Sequence, residues 1–294
     1  MIQKPRGTID ILPPDSPTWR RIEQIARDAA ARYGFEEIRF PTFEATELFQ
    51  RGVGDTTDVV QKEMYTFTDR DNRSLTLRPE GTASVVRSLI ENGLASGVMP
   101  LKLYYLINCF RYEKPQAGRS REFYQFGVEM FGAQPASADA SVIALADTII
   151  RGVGIRSAKL HINSIGCPTC RKVYHDALRS YFQSHYDELC ETCRGRLQTN
   201  PLRILDCKSP VCSALAANAP KTIDYLCEDC GQHFASLKKH LDAEGISYTV
   251  DPHIVRGLDY YTKTVFEFVC ETIGAQSTIC GGGRYDGLVS SVGG

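Results

Sequence analysis

The segment FRYEKPQAGRSREFYQFGVEMFG, residues 110–132, carries four side chains of types that grip charged ligands: Arg111, Glu113, Gln125 and Glu129. Residues two apart on a strand share a face. Arg111 and Glu113 then share a face of one strand, and Gln125 and Glu129 share a face of the next, with Gly127 between them. The alternate positions Tyr124, Phe126, Val128 and Met130 suit a core. Glycine weakens a strand unless something must come close to the backbone, and a ligand lying on the sheet would supply that reason. RGLDYY (256–261) contributes Arg256, Tyr260 and Tyr261. RPEGTA (78–83) places Glu80 and Thr82 at a helix entrance, and CGGGRYDGL (280–288) is glycine-rich before a turn. Each segment alone has a plainer reading: a solvated sheet face, an aromatic core contact, a helix cap, a tight turn. Together they predict a polar floor of Arg111, Glu113, Gln125, Glu129, Arg256, Tyr260 and Tyr261, rimmed by Glu80 and Thr82. Two guanidinium forks match phosphate oxygens, and the carboxylates suit an amine and a ring N–H. The set implies a zwitterionic substrate beside a nucleotide.

Metal chemistry is the second pattern. The pairs CPTC (167–170), CETC (190–193) and CEDC (227–230), with Cys207 and Cys212, hold eight of the eleven cysteines. C-x-x-C spacing lets two thiolates reach one tetrahedral Zn²⁺. Two Cys₄ sites would use Cys167, Cys170, Cys190, Cys193, Cys207, Cys212, Cys227 and Cys230; one site would use four, and unligated thiols are the alternative. The expected role of zinc is structural. Cys109 and Cys270 fall in strand-like runs and suit a core, whereas Cys280 is expected on the pocket wall. The six histidines show no pairing with a cysteine motif and are given no role.

The elements that must position these groups are legible in part. Ser16 and Pro17 begin a helix whose stripe runs Ile22, Ile25, Ala26, Ala29, Tyr33, and Gly34 stops it. FEEIRF reads as a strand ended by Pro41. MYTFTD and RSLTLR read as a hairpin around Arg70, Asp71 and Asn72, RPEG leads into a helix over 82–92, and LKLYYLINCF pairs with the strand after QAGRSR. Strands joined by hairpins with helices grouped apart predict an α+β fold on a largely antiparallel sheet. A helical, cysteine-rich segment, 167–240, interrupts it, dividing the core into 1–166 and 241–294.

The 294 residues carry a net charge of -1 with 43% hydrophobic and 23% charged side chains, an ordinary globular balance. No global basic signal points to nucleic acid, so any such contact is local. The start, MIQKPRGTIDILPPD, has no apolar signal region and no later run is long enough for a membrane span, so a cytoplasmic protein without membrane attachment and with reduced thiols is expected.

The whole pattern resembles the catalytic domain of class II aminoacyl-tRNA synthetases, and most closely the histidyl-tRNA synthetase family. GFEEIRFPTFEATELF is similar to the class motif 1, with Pro41 near the dimer interface, and FRYEKPQAGRSREFYQFGVEMFG to motif 2. RGLDYYTKTVFEF and GGGRYDGL resemble the two histidine-specific segments. The resemblance implies a homodimer in the full-length protein, histidine, ATP with Mg²⁺, and tRNA(His) as partners, and inserted helices that approach the tRNA acceptor arm. It implies catalytic roles at the α-phosphate for Arg111 and Arg256, and ATP contacts for Arg111, Glu113, Arg119 and Arg121. It implies histidine contacts from Glu80, Gly81, Thr82, Gln125, Glu129, Tyr260 and Tyr261, with Glu129 and Tyr261 on the two imidazole nitrogens. A site that satisfies both ring nitrogens rejects other side chains without editing.

The family continues past GGGRYDGL into motif 3 and an anticodon-binding domain, so a truncated catalytic fragment is expected. The alternative is a synthetase-like paralogue without ligase activity, such as the regulatory subunit of ATP phosphoribosyltransferase in histidine biosynthesis. Retention of Arg111, Arg256 and RGLDYY favours the enzyme. A zinc-organised binding module is a third reading, and it leaves the polar floor unexplained.

Overall fold

The structure, a computed structural model, describes residues 1–294 except 55–56, 58, 206, 208, 255–259 and 272–276. In chain order the elements are α1 (Ser16–Arg32), β1 (Glu36–Glu37), β2 (Phe43–Ala45), α2 (Thr46–Val53), β3 (Tyr65–Thr68), β4 (Ser74–Leu77), α3 (Thr82–Glu91), β5 (Leu101–Phe110), β6 (Glu122–Phe131) and α4 (Ala136–Gly152). Then come β7 (Lys159–Ser164), α5 (Pro168–Ser184), α6 (Glu191–Thr199), α7 (Leu202–Leu205), α8 (Pro210–Ala217), α9 (Glu228–Ala243), β8 (Tyr248–Val250), β9 (Thr262–Val269), β10 (Thr278–Arg284) and α10 (Leu288–Val292).

Among the described residues the strands form three sheets, ordered β1-β5-β6, β10-β9-β7-β8 and β2-β4-β3. All pairings are antiparallel except β1 with β5 and β7 with β8. The fold is α+β, with open sheets flanked by helices. The β3–β4 hairpin forms as its sequence predicts: Asp69 accepts from the N–H groups of Asp71 and Arg73, and Asn72 takes the left-handed turn at φ 60°. The FEEIRF run yields only a two-residue strand. Beyond Ile38 the chain leaves the ladder, because the buried Arg78 guanidinium collects the Phe40 and Pro41 carbonyls.

The long β5–β6 hairpin, in register from Leu101 opposite Phe131 to Phe110 opposite Glu122, is the platform of the molecule. One face carries Tyr104, Phe126, Val128 and Met130 against Ala29 and Ala30 of α1 and Leu145 of α4. Three of the four even positions of β6 expected in a core are thus in it; Tyr124 is not, staying 43% exposed near the end of the hairpin with its ring against Trp19. The other face carries Leu103, Tyr105, Ile107, Cys109 and Phe131 beneath Val85, Val86 and Leu89 of α3 and Leu288 of α10. The polar side chains of β6 thus sit among apolar ones in a covered trough.

The cysteine-rich segment has a core of its own. Tyr174, Leu178 and Phe182 of α5 close on Leu189, Leu197, Ile204 and Ala219. Helix α9 does not share that core. Phe234, Leu237 and Leu241 pack instead with Ile143 of α4 and with Ile162, Phe266 and Phe268 of the second sheet. Among the described residues, no helix is long and apolar enough to cross a membrane.

Candidate active site and metal centres

Two carboxylates lie at the floor of the covered trough. Glu80 precedes α3, and its oxygens accept from the backbone N–H groups of Thr82 at 2.6 Å and Ala83 at 2.9 Å. It caps the helix, the use its place at the entrance suggests. Glu129 is 4% exposed and accepts from Thr82 Oγ1 at 2.8 Å, Tyr105 OH at 3.2 Å and the Tyr285 hydroxyl. The rings of Tyr260 and Tyr285 meet edge to face at 5.7 Å, and Tyr260 lies 4.7 Å from Tyr261. One enclosure therefore gathers Glu80, Thr82, Glu129, Tyr260 and Tyr261 from three separated stretches of chain.

Tyr105 and Tyr285 belong to this site and are missing from the sequence reading. Tyr105 stands opposite Gly127 in the β5–β6 register. A Cβ at Gly127 would lie 2.3 Å from the Tyr105 ring, and one at Gly81 would lie 2.5 Å from it. The glycine in β6 thus makes room for the protein's own phenol, not for a ligand. Gly81 serves the same ring from the other side. Replacing Gly127 with alanine forces that ring against Gly81 and is expected to destabilise the protein by about 1–3 kcal/mol, read as a lower denaturant midpoint at unchanged slope.

Burial dominates the electrostatics. It raises the Glu129 carboxyl to about 7; the hydroxyls of Tyr285, Thr82 and Tyr105 oppose that rise, and the nearby Glu80 charge adds to it. Burial also raises Glu80, against the pull of the helix N–H groups and of Arg111. Tyr105, Tyr260 and Tyr285 are all pushed up by burial, with Glu129 adding to each. Burial lifts the Cys109 thiol to about 12, so it is a neutral core group, as expected. The linkage has a definite sign. The Glu129 value in the fold exceeds its ordinary 4.5, so its contribution is present below pH 4.5 and is lost as pH rises through about 7. Wild type should thus lose up to about 3 kcal/mol relative to Glu129→Gln between those values, measured by denaturant titration of both proteins.

The charged residues of 111–121 take up a second neighbourhood. Arg111 donates from Nε to the Pro79 carbonyl at 2.9 Å and lies 5.3 Å over the Phe123 ring, with one Nη 4.0 Å from Glu113. Glu113 accepts from Arg119 at 2.6 Å. Arg121 donates to the Glu113 carbonyl and stacks 3.9 Å over the Tyr112 ring, bracing the loop. Gln125 accepts from the Cys109 thiol at 3.5 Å. Arg256 lies outside the described residues. Cys280 does not join the pocket wall. It packs with the core under α4 and α9, because the inward side of the triple glycine is given over to the Phe266 and Tyr261 rings.

The eight cysteines of the inserted segment assemble into two clusters of four, Cys167/Cys170/Cys227/Cys230 and Cys190/Cys193/Cys207/Cys212. Within each, all sulfurs lie within 4.8 Å of one another, and the pairs Cys167–Cys170, Cys167–Cys227 and Cys190–Cys207 are 3.6, 3.9 and 3.8 Å apart. Four thiolates at about 2.3 Å from one tetrahedral zinc would stand about 3.8 Å apart. Backbone N–H groups of Cys227, Cys190 and Ser209 aim at Cys170, Cys212 and Cys207 sulfurs, as suits thiolate acceptors. The two groups able to hold a metal among the described residues are both all-cysteine.

Comparison with known proteins places this arrangement. The family profile described as histidyl-tRNA synthetase matches residues 7–180 and 205–294. The histidine–tRNA ligase of Caldanaerobacter subterraneus subsp. tengcongensis is 55% identical over 294 residues, covering all of this chain and 70% of its own length. That of Caldicellulosiruptor saccharolyticus is 56% identical over 293 residues, again across 70% of its length. The apo S. aureus histidyl-tRNA synthetase superposes with a TM-score of 0.81 at 44% identity, covering 100% of this chain and 69% of that one. A Bacillus halodurans protein described as an ATP phosphoribosyltransferase regulatory subunit/histidyl-tRNA synthetase gives 0.74 at 26% identity, over 99% and 78%. With its profile matched across both parts of the core and more than half of all residues shared with such relatives, the chain belongs to the histidyl-tRNA synthetase family.

Proposed function

We propose that this chain binds histidine in the enclosure around Glu129 and ATP beside Arg111, and joins them as histidyl-adenylate for transfer to tRNA(His). The observation that carries the reading is the buried Glu129. Three hydroxyls hold it, and burial raises it to about 7, so a cationic imidazole or ring N–H would find a matched acceptor there. Glu80 and Thr82 stand beside it for the amino group, and the Tyr260–Tyr261 pair flanks the ring. Arg111 sits across from Glu80, where a carboxylate and an α-phosphate would meet a fixed guanidinium. Gln125, Tyr261 and Arg256 keep the histidine and phosphate roles that the family resemblance implies, and Arg119 and Glu113 those toward the nucleotide.

In the reaction, a histidine carboxylate oxygen attacks the α-phosphorus. The new C–O–P bond forms as the bond to the β-phosphate oxygen breaks, and pyrophosphate leaves with the electron pair. The protein supplies position and charge, not a covalent intermediate. Mg²⁺ would arrive with the nucleotide and screen its phosphates. The test is histidine-dependent ATP–pyrophosphate exchange, on this chain and on a version extended past Gly294. Exchange in either supports the reading. Histidine binding without exchange in the extended protein would instead indicate the regulatory role named for the B. halodurans neighbour.

We also propose one structural Zn²⁺ in each cysteine cluster, supported by the sulfur spacing and the N–H donors. These are closed four-thiolate sites with no open position for a substrate. Their place is inside the inserted segment, where they hold its helices for a tRNA contact.

A further inference from the structure

The hydroxyl of Tyr285 reaches Glu129 from just past the end of β10, where the ladder does not hold the chain. β10 pairs with β9 up to Gly283 opposite Val265, and the register then slips so that Arg284 stands opposite Thr262. A bulge of this kind re-aims side chains and gives up ladder bonds. Backbone packing there is tight, since a Cβ at Gly283 would lie 2.5 Å from the Thr264 carbonyl and 2.8 Å from the Tyr261 ring. Something else must fix the direction of residues 284 and 285.

Asp139, in the first turn of α4, supplies it. One carboxylate oxygen accepts from Arg284 at 2.6 Å; the other accepts from His233 Nε2 at 2.7 Å and Thr264 Oγ1 at 2.6 Å. Arg284 also donates to the Ala133 carbonyl at 2.9 Å. The side chains of Asp139, His233 and Arg284 are 11%, 9% and 9% exposed, so the cluster is close to dry. Burial alone would raise the Asp139 carboxyl, but the bond from His233 and the Arg284 charge outweigh it and keep it ionised. Arg284 turns toward α4 while Tyr285, next in the chain, turns into the pocket against Glu129, Tyr260 and Phe131.

We propose that Asp139 is a positioning residue for histidine binding, holding Arg284 so that the Tyr285 hydroxyl stays on Glu129. The inference deepens the function proposed above and rests on it. His233 brings helix α9 into the same clamp, so the helix that begins at the Cys227–Cys230 pair also supports the pocket frame. Sequence offers no hint of this, because the clamp joins residues 94, 125 and 145 positions apart.

The test is a double-mutant cycle on the full chain. Asp139→Asn is expected to weaken histidine about 10-fold by calorimetry, Tyr285→Phe by a similar factor, and the double variant by no more than Tyr285→Phe alone. Losses that multiply, or unchanged affinity in a folded Asp139→Asn protein, would overturn the proposal. Hydrogen exchange provides a readout independent of ligand: amides of residues 284–287 should exchange at least about 10-fold faster in Asp139→Asn, with α3 unchanged. If wild type binds no histidine yet that exchange effect appears, the functional reading fails and the positioning role stands. If neither effect appears, the positioning role is wrong.

Discussion

Replacing Glu129 with glutamine is expected to lower kcat/KM for histidine in pyrophosphate exchange by roughly 10³-fold, with little change in KM for ATP. The size follows from burial. Glu129 is 4% exposed, and its oxygens already hold Thr82, Tyr105 and Tyr285, so the side chain cannot move to a new partner. Glutamine keeps the shape but turns one oxygen into an NH₂ that faces hydroxyl donors and, in the proposed complex, an imidazole N–H. Losing a charge-assisted bond and leaving a buried donor unpaired each contribute a few kcal/mol. A change of less than about 10-fold, in a protein that melts like wild type, would place the imidazole elsewhere.

Removing the zinc proposed for the cysteine clusters should have the largest effect on structure. A Cys₄ site contributes on the order of 10 kcal/mol to the fold that presents it. The core under α5 to α8 rests on a few apolar side chains, and Cys193 and Cys212 are themselves part of it. Cys193→Ser is expected to halve the zinc content from about two ions per chain and to unfold residues 189–219, seen as lost helical circular dichroism and fast hydrogen exchange there. The β5–β6 hairpin, whose core is formed with α1, α3 and α4, should stay protected. Elemental analysis finding no zinc in the purified wild-type protein would dispose of both sites.

How much of this could be read from residues alone varies with the range of the interaction. The polar stripe of β6 is a period-two pattern inside one strand, and local periodicity shows it directly. The C-x-x-C pairs announce metal chemistry by spacing, but which pairs share an ion is a matter of tertiary contact. The structure answers it by joining the first pair to the last. Tyr105 could not be picked out: LKLYYLINCF reads as a uniformly buried strand, and its part in the site arises across the hairpin, opposite Gly127 and 24 residues from Glu129. Tyr285 sits in a segment recognised for its glycines, and a tight turn offers no sign of which neighbour its side chain will face. A missed signal existed for Gly127. An unexplained glycine opposite an aromatic in a hairpin is as well explained by a ring laid across it as by a ligand.

The nesting of the two cysteine clusters has a consequence for how the chain is made. The inner cluster closes a loop spanning 22 positions, Cys190 to Cys212, inside an outer one spanning 60, Cys167 to Cys227. Loop-closure entropy favours the shorter ring by about 1 kcal/mol, and during synthesis its last ligand, Cys212, emerges from the ribosome ahead of Cys227. The inner knot can therefore tie while translation continues, and the outer one draws the segment's two ends together only afterwards. Stalled nascent chains in which Cys212 has emerged from the exit tunnel and Cys227 has not should already protect the inner thiols from alkylation and leave Cys167 and Cys170 open to it.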